Sequence, residues 1–495
     1  MFSQALTRAG RSKPLRGPRW LPGALHPAAL GRGPSSTEIS VDPKTTSRRT
    51  FLALAAAAPL AGALAACSSS GPTQTGAGGG AATGGGGGGD GATFWFLSGQ
   101  PDQSVREDTV KRFNSANSGS QIAFTEFQND AFKTKIKAAL GAGQGPTIIW
   151  GWGGGGLAED VKAGQVEDLT SWFTQNPEQK SRRFPSSFDA ATVDGKIYAA
   201  PAETVTPIVF YYNKKVFEQA GVSEPPKSWA DIMSLVDTFN SKGIAPFSLG
   251  GQSRWTNMMW LEFVLDRIGG PEVFQNVFQG KSGAWSDPAV KDMLTKVQDL
   301  VKANGFIKGF SSITADSNAD LAVLYTGKAA MMVHGAWTYG TMKQSGGDLV
   351  TGGHLGFMNF PPVEPGKDKG DPSNTVGNPG QYYSISSKAT DAQKEVAKKF
   401  FSTTVLDDAE QAKWIEAGHV PLIKGSDAKF GSSPDAAFLK FVYDVGSNAK
   451  SFAQSWDQAL SPTQAETLLN NIAKLFQLSI TPDQWIDSMN KAIGT

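Results

Sequence analysis

Thr147-Ile148-Ile149-Trp150-Gly151-Trp152-Gly153-Gly154-Gly155-Gly156 runs from bulky apolar residues straight into glycines. Residues 147–150 read as a short buried strand, because so brief a β-branched and aromatic run suits a strand covered on both faces. A helical pattern follows over 157–163. Upstream the same alternation occurs twice: a strand at 93–97, a helix through Val105, Val110 and Phe113, a strand at 121–127 and an amphipathic helix at 131–140. Strands alternating with helices predict an α/β domain with a parallel sheet. Ligands of such sheets sit at the carboxyl ends of the strands, which points to loops 98–102, 129–130 and 151–156. In the third loop glycines allow close backbone approach to a ligand and the tryptophans offer flat faces. The loop lacks the Lys-Ser/Thr pair of a phosphate loop and the spacing of a dinucleotide fingerprint. A tight turn with two core tryptophans is the alternative reading.

Outward from this unit, a second α/β unit begins near Pro207. Residues 208–212 read as a strand, and Ser228 with Asp231 forms a capping box opening a helix to Asn240. Asp287-Pro288 starts a periodic helix through Val290, Met293, Leu294, Val297, Leu300 and Val301. Residues 329–334 read as a buried strand closed by Gly335-Ala336-Trp337, 346–380 as Gly/Pro-rich loop, and 391 onward as helices. About 400 residues follow Ala92, enough for two domains.

The amino-terminal part carries an address. Ser47-Arg48-Arg49-Thr50-Phe51-Leu52 sets two arginines before the apolar run 51–66, which ends in Leu64-Ala65-Ala66-Cys67. The run is shorter than the ~20 apolar residues of a membrane span and fits a cleaved twin-arginine signal peptide, 47–66, with a lipobox. Cys67 would then be lipidated and become residue one, held by more than one acyl chain. Residues 1–46 read as an atypical leader, or as a mis-assigned start with Val41 the candidate initiator. Residues 67–91 form a Ser/Gly-rich tether with six consecutive glycines, 84–89. The expected location is the cell membrane, lipid-anchored and facing outside the cytoplasm.

Composition narrows the chemistry. The formal charge of +1 hides nine basic and two acidic residues in 1–66, leaving 37 basic against 43 acidic side chains beyond, a net of −6. That lacks the electrostatic footprint of nucleic-acid binding. Cys67 is the only cysteine, so neither an intrachain disulfide nor a cysteine zinc site is available. His334, His354 and His419 are not at metal-ligand spacing. Gly280-Lys281-Ser282 lacks the first glycine of a phosphate loop. Asp316, Asn318 and Asp320 mimic a calcium loop, but Leu321 stands where glycine is needed, and helix capping accounts for them better. No nucleophile elbow or His-Glu-x-x-His occurs. Neither metal nor cofactor is expected. Glu203 is the one candidate acid for a glycosidase. Two thirds or more of the twelve tryptophans beyond Cys67 are expected in the core.

The chain resembles the family 1 extracellular solute-binding proteins of ABC importers, relatives of maltose-binding protein. The resemblance rests on Thr93-Phe94-Trp95-Phe96, 135–152, 164–169, Asp194-Gly195-Lys196-Ile197-Tyr198-Ala199-Ala200-Pro201, Tyr211-Tyr212-Asn213-Lys214, Pro226-Lys227-Ser228-Trp229 and 327–337. Thr147 departs from it, standing where aspartate is common, and His334-Gly335-Ala336 varies the usual lead to tryptophan. It implies an α/β, two-lobed fold of the type II periplasmic-binding class, each lobe a mostly parallel sheet flanked by helices. The lobes, 92–203 with 361–418 and 207–357 with 421–495, would join at a multi-strand hinge near 203–207, 357–361 and 418–421.

The implied function is non-enzymatic: a monomeric lipoprotein that closes on an oligosaccharide and delivers it to the transmembrane subunits of an ABC permease. Trp337 and Trp456 match stacking positions of the relative, Trp255 enters from the second lobe, and Trp152 faces them from the first. Polar partners would be Gln100, Asn129, Asp130, Glu203, Gln252, Arg254 and Asn378. A phosphorylated polyol such as a glycerol phosphodiester is the rival ligand, and an exported glycoside hydrolase the rival class.

Overall fold

The computed structural model describes residues 91–494. The leader, signal, Cys67 and nearly all of the tether therefore lie outside the described residues. Helices and short strands alternate through the rest. The first sheet runs Ile122–Phe127, Ala92–Leu97, Ile148–Gly151, Gln381–Ile385, Ala200–Ala202. Its first three strands are parallel, the product of the strand-helix alternation. Gln381–Ile385 runs against them, and Ala200–Ala202 pairs antiparallel to it in turn. Thr147 has a defined task at the entry to this sheet. Thr93 N–H donates to its Oγ1 at 3.1 Å, and Thr147 N–H donates back to Thr93 Oγ1 at 2.9 Å.

The second sheet runs Phe452–Gln454, Thr375–Asn378, Thr206–Asn213, Ala329–Gly335, Ala245–Phe247, with Leu355–Met358 also paired to Thr206–Asn213. Only its two outer pairings are parallel; those on Thr206–Asn213 are antiparallel. Both sheets are thus mixed, because strands that return from the other sheet enter against the local direction. Along Thr206–Asn213, Ile208 and Phe210 enter one apolar core while Val209 and Tyr211 enter another. A strand covered on both faces reads as an uninterrupted apolar run, which is how this segment reads.

The segment 346–380, expected to be loop, contains Leu355–Met358 and Thr375–Asn378. The chain also changes sheets later than expected there. Leu355–Met358 and Thr375–Asn378 both pair with Thr206–Asn213, so the step to Gln381–Ile385 falls at 379–380 rather than 357–361. Residues 361–378 accordingly side with the second sheet: Val363 and Val376 belong to its core, and buried Arg267 donates to the carbonyls of Phe360 and Asn374. The other changes of sheet are at 203–205 and at the segment where Thr204 bridges Pro421 and Val205 N–H donates to Val420 O.

Helix starts follow side-chain chemistry. Asp287 accepts from Ala289 N–H at the head of Pro288–Lys302, and Asn213 accepts from Lys215 N–H at the head of Lys214–Ala220. Ser228 caps Trp229–Ser241 by accepting from Asp231 N–H, but Asp231 returns its bond to Lys227 N–H instead of Ser228. Among the described residues no helix is long and apolar enough to cross a membrane.

Candidate functional site

Between the two sheets lies a cavity of about 250 Å³, near the lower end of the ~300–1,000 Å³ usual for ligand pockets. One wall comes from the carboxyl ends of the first sheet's parallel strands: Leu97, Ser98 and Gln100 after Ala92–Leu97, Asn129 after Ile122–Phe127, and Trp150 and Trp152 at the end of Ile148–Gly151. The opposite wall comes from the second sheet and its helices, with Trp255, Met258, His334 and Trp337.

The tryptophans meet at defined angles. Trp150 and Trp152 are edge to face, centroids 4.6 Å apart, and Lys133 Nζ sits 5.1 Å over the Trp152 ring. Across the cavity, Trp255 and Trp337 lie 6.2 Å apart at 48°, with His334 against both at 5.5 and 5.6 Å. Gly335 seats Trp337: a Cβ there would fall 1.9 Å from Trp337 Cζ3, so only glycine lets the ring lie on the strand end. His334 Nδ1 accepts from Gly335 N–H at 2.9 Å and its Nε2 lies 3.2 Å from Asp320 Oδ2, which fixes the imidazole behind the rings.

Beneath the first wall is a buried ion pair. Glu203, 1% exposed, accepts from Arg106 Nε at 2.8 Å and Nη2 at 2.7 Å, from Trp150 Nε1 at 2.9 Å and from Tyr383 Oη at 2.7 Å. Arg106 extends the network to Asp102 at 3.6 Å, and Asp102 meets His419 at 2.9 Å. Burial alone would raise the Asp102 carboxyl; His419 and Arg106 outweigh it and hold the group below the usual carboxylate range. Asp102, Arg106 and Trp150 line the cavity, while Glu203 sits behind them at the change of sheet, with φ +60°.

The rim is bridged. Asp130 N–H donates to Asp316 Oδ2 at 3.1 Å, Thr341 Oγ1 to Gln100 O at 3.0 Å, and Gln454 Nε2 to Trp152 O at 2.7 Å. The glycine run serves this closure. A Cβ on Gly154 would meet Gln458 O at 2.4 Å and one on Gly155 would meet Leu460 O at 2.0 Å. The close approach expected for a ligand is made instead to the facing backbone.

The structure brings Trp152, Trp255, Trp337, Gln100, Asn129 and Asn378 together around the cavity. It does not bring the others. Trp456, 2% exposed, stacks on Phe274 at 4.8 Å and packs against Trp285, so it is a core residue of the second sheet's side. Glu203 is occupied by its four bonds. Arg254 turns to Glu466 and Asn470, at 2.8 Å each, Gln252 is exposed outside the cavity, and Asp130 is a rim residue. Sequence reasoning missed Arg106, Met258, His334, Gln381 and Asp457 as lining residues; Asp102 lies in the expected loop 98–102, and Asp316 and Asn318, taken for caps, line the cavity too. Eight of the twelve tryptophans lie elsewhere, as their cost in water requires.

Two buried polar atoms of the lining have no partner among the described residues: Trp255 Nε1, a donor, and Asn378 Oδ1, an acceptor. Each is the kind of group that a hydroxyl-bearing ligand would satisfy.

A two-sheet molecule with its cleft between the sheets, bounded by strand ends and crossed by the chain at several points, is a type II periplasmic-binding fold. The chain matches the bacterial extracellular solute-binding protein family over residues 98–412, more than half of its length, and belongs to that family. Among solved structures it is similar to one from work on xylan utilization by the thermophilic bacterium Caldanaerobius polysaccharolyticus, at 30% identity and TM-score 0.73 over 82% of this chain and 100% of that one. A chitin oligosaccharide binding protein shares the fold at 24% identity and TM-score 0.72, over 81% of this chain and 97% of its own. A probable sugar-binding periplasmic protein of Mesorhizobium japonicum is 32% identical over 216 residues, 43% of this chain and 49% of that protein. The chain spans about half the length of the curated relatives it matches.

Proposed function

We propose that this protein is the extracytoplasmic receptor of an ABC importer and that it captures a short oligosaccharide by closing two lobes around it. The observation that carries this reading is the cavity wall: tryptophan faces on both sides, with the unpartnered Trp255 Nε1 and Asn378 Oδ1 between them. Sugar rings present apolar C–H faces and a rim of hydroxyls, and this lining complements both. The names of the similar proteins, a chitin oligosaccharide binder among them, support the same class. In this reading the lobes are 92–203 with 381–418 and 207–378 with 421–494.

A phosphorylated polyol finds little to hold it in the cleft. Its two lining cations are already engaged, Arg106 by Glu203 and Lys133 by Asp457 at 3.6 Å, and Asp102, Asp316 and Asp457 outnumber them. Glu203, the acid that the sequence offered for hydrolysis, is enclosed and fully bonded. A thermal-shift panel of xylo-, chito- and gluco-oligosaccharides should give stabilisation by one series, about 2.7 kcal/mol at a hundredfold excess over Kd, with the sugar recovered intact. Stabilisation by a glycerol phosphodiester and by no saccharide would overturn the proposal.

Retention at the membrane through lipidated Cys67 belongs to the same proposal and rests on the signal and lipobox at 47–67. Cys67→Ala should move the protein from the membrane fraction to the soluble fraction. An unchanged membrane fraction counts against the anchor.

A further inference from the structure

A second cavity, sharing no lining residue with the cleft, opens at the surface of the first sheet's side and is lined by Lys180, Ser181, Arg183, Asp189, Thr192 and Lys424. At its base is Arg183, with 0% exposure. Its Nε donates to Pro201 O at 2.6 Å and its Nη1 to the Gln179 carbonyl and Oε1. All of these acceptors are neutral. Nη2 has no partner among the described residues.

A buried charge is ordinarily paired, and buried guanidinium donors are ordinarily bonded. Among the described residues Arg183 has no carboxylate at ion-pair distance and its Nη2 is unbonded, and burial, with Arg182 beside it, pushes its guanidinium down to about 9. Lys180, whose Nζ lies 5.5 Å over Phe188, and Lys424 add two cations at the mouth, with Asp189 as the single acid lining it. Three cations against one carboxylate leave two positive charges. A phosphate group carries about −1.5 to −2 at neutral pH, twice a carboxylate's charge, and offers several acceptor oxygens to the guanidinium, the ammonium groups and the Ser181 and Thr192 hydroxyls. A phosphate monoester that keeps a proton can also donate it to Asp189, which sulfate cannot do.

We infer that this cavity binds a phosphate group, held by Lys180 and Lys424 at its mouth and backed by the buried Arg183 guanidinium at its base. The group comes either from a small phosphate in the medium or from the monoester headgroup of a lipid. The site adjoins the changes of sheet: Arg183 grips the carbonyl of Pro201, two residues before Glu203, and its backbone bridges Ile423, two residues after Pro421.

The test uses the full chain carrying Cys67→Ala, so that no anchor intervenes, and inorganic phosphate as the probe. Phosphate should stabilise the protein against heat beyond chloride at equal ionic strength. The exposed double variant Lys180→Ala/Lys424→Ala should weaken that response by roughly tenfold in phosphate concentration while leaving saccharide affinity unchanged. Arg183→Lys, if it folds, should weaken it at least as much. Flotation with phosphatidic-acid vesicles that depends on the two lysines identifies a lipid source; a phosphate response without flotation identifies a soluble one. No phosphate response above chloride, or an equal response in the double variant, overturns the inference.

Discussion

Glu203→Ala should lower folding stability by about 3–5 kcal/mol, the range for removing one partner of a buried ion pair. The figure follows from what remains: Arg106, buried, loses its two bonds to Glu203 and keeps only Leu97 O and the longer contact to Asp102, and Trp150 Nε1 and Tyr383 Oη lose their acceptor. Urea denaturation checks it, as a fall in midpoint at unchanged m. The effect should reach the ligand as well, because Arg106 and Trp150 form part of the cavity wall that Glu203 braces from behind. Glu203→Gln keeps the shape and one good acceptor, so it should fall between wild type and alanine. A loss below 1 kcal/mol for the alanine variant would mean that water or another group takes over the guanidinium.

Trp337→Ala should weaken saccharide binding by ~1–2 kcal/mol, roughly 5- to 30-fold in Kd, with little loss of stability because the ring is only partly buried. Calorimetry with the saccharide selected by the thermal-shift panel measures it. Gly335→Ala offers an independent check that touches no ligand. Its added methyl group occupies the place of the Trp337 ring, so it should weaken binding by a similar factor through displacement alone. Trp456→Ala should behave differently, losing core packing with Phe274 and Trp285 at ~3–5 kcal/mol of stability. Full affinity in Trp337→Ala would remove that ring from the site.

Much of this architecture was legible in the residues because local pattern and tertiary role agree. The 93–163 alternation gives the parallel strands whose ends make one cavity wall, and the apolar run at 208–212 reads as the strand it is. Loops 98–102 and 129–130 reach the site for the same reason, since strand ends are where open α/β sheets leave room. What was not legible depends on contacts between distant residues. Arg106 and Glu203 are 97 positions apart, and neither carries a local sign of the other. Trp456 and Trp337 look alike as aromatic residues; only Phe274 and Trp285 in one case and Gly335 in the other separate a core ring from a cavity ring. The strand Thr375–Asn378 is four residues long in a Gly/Pro-rich stretch, too short for periodicity to show, and that displaced the expected change of sheet.

The rim bonds between Asp130 and Asp316, and between Thr341 and Gln100, contain no ligand atom. If the two lobes close on a solute as proposed, these bonds would act on the population of shut molecules. An apparent dissociation constant is the intrinsic one divided by the competent fraction. Substitution at Asp316 or Thr341 would then retune the concentration at which such a receptor fills while the tryptophan faces stay the same. On that mechanism sensitivity and selectivity would be separable, the first set at the rim bonds and the second at the tryptophan faces.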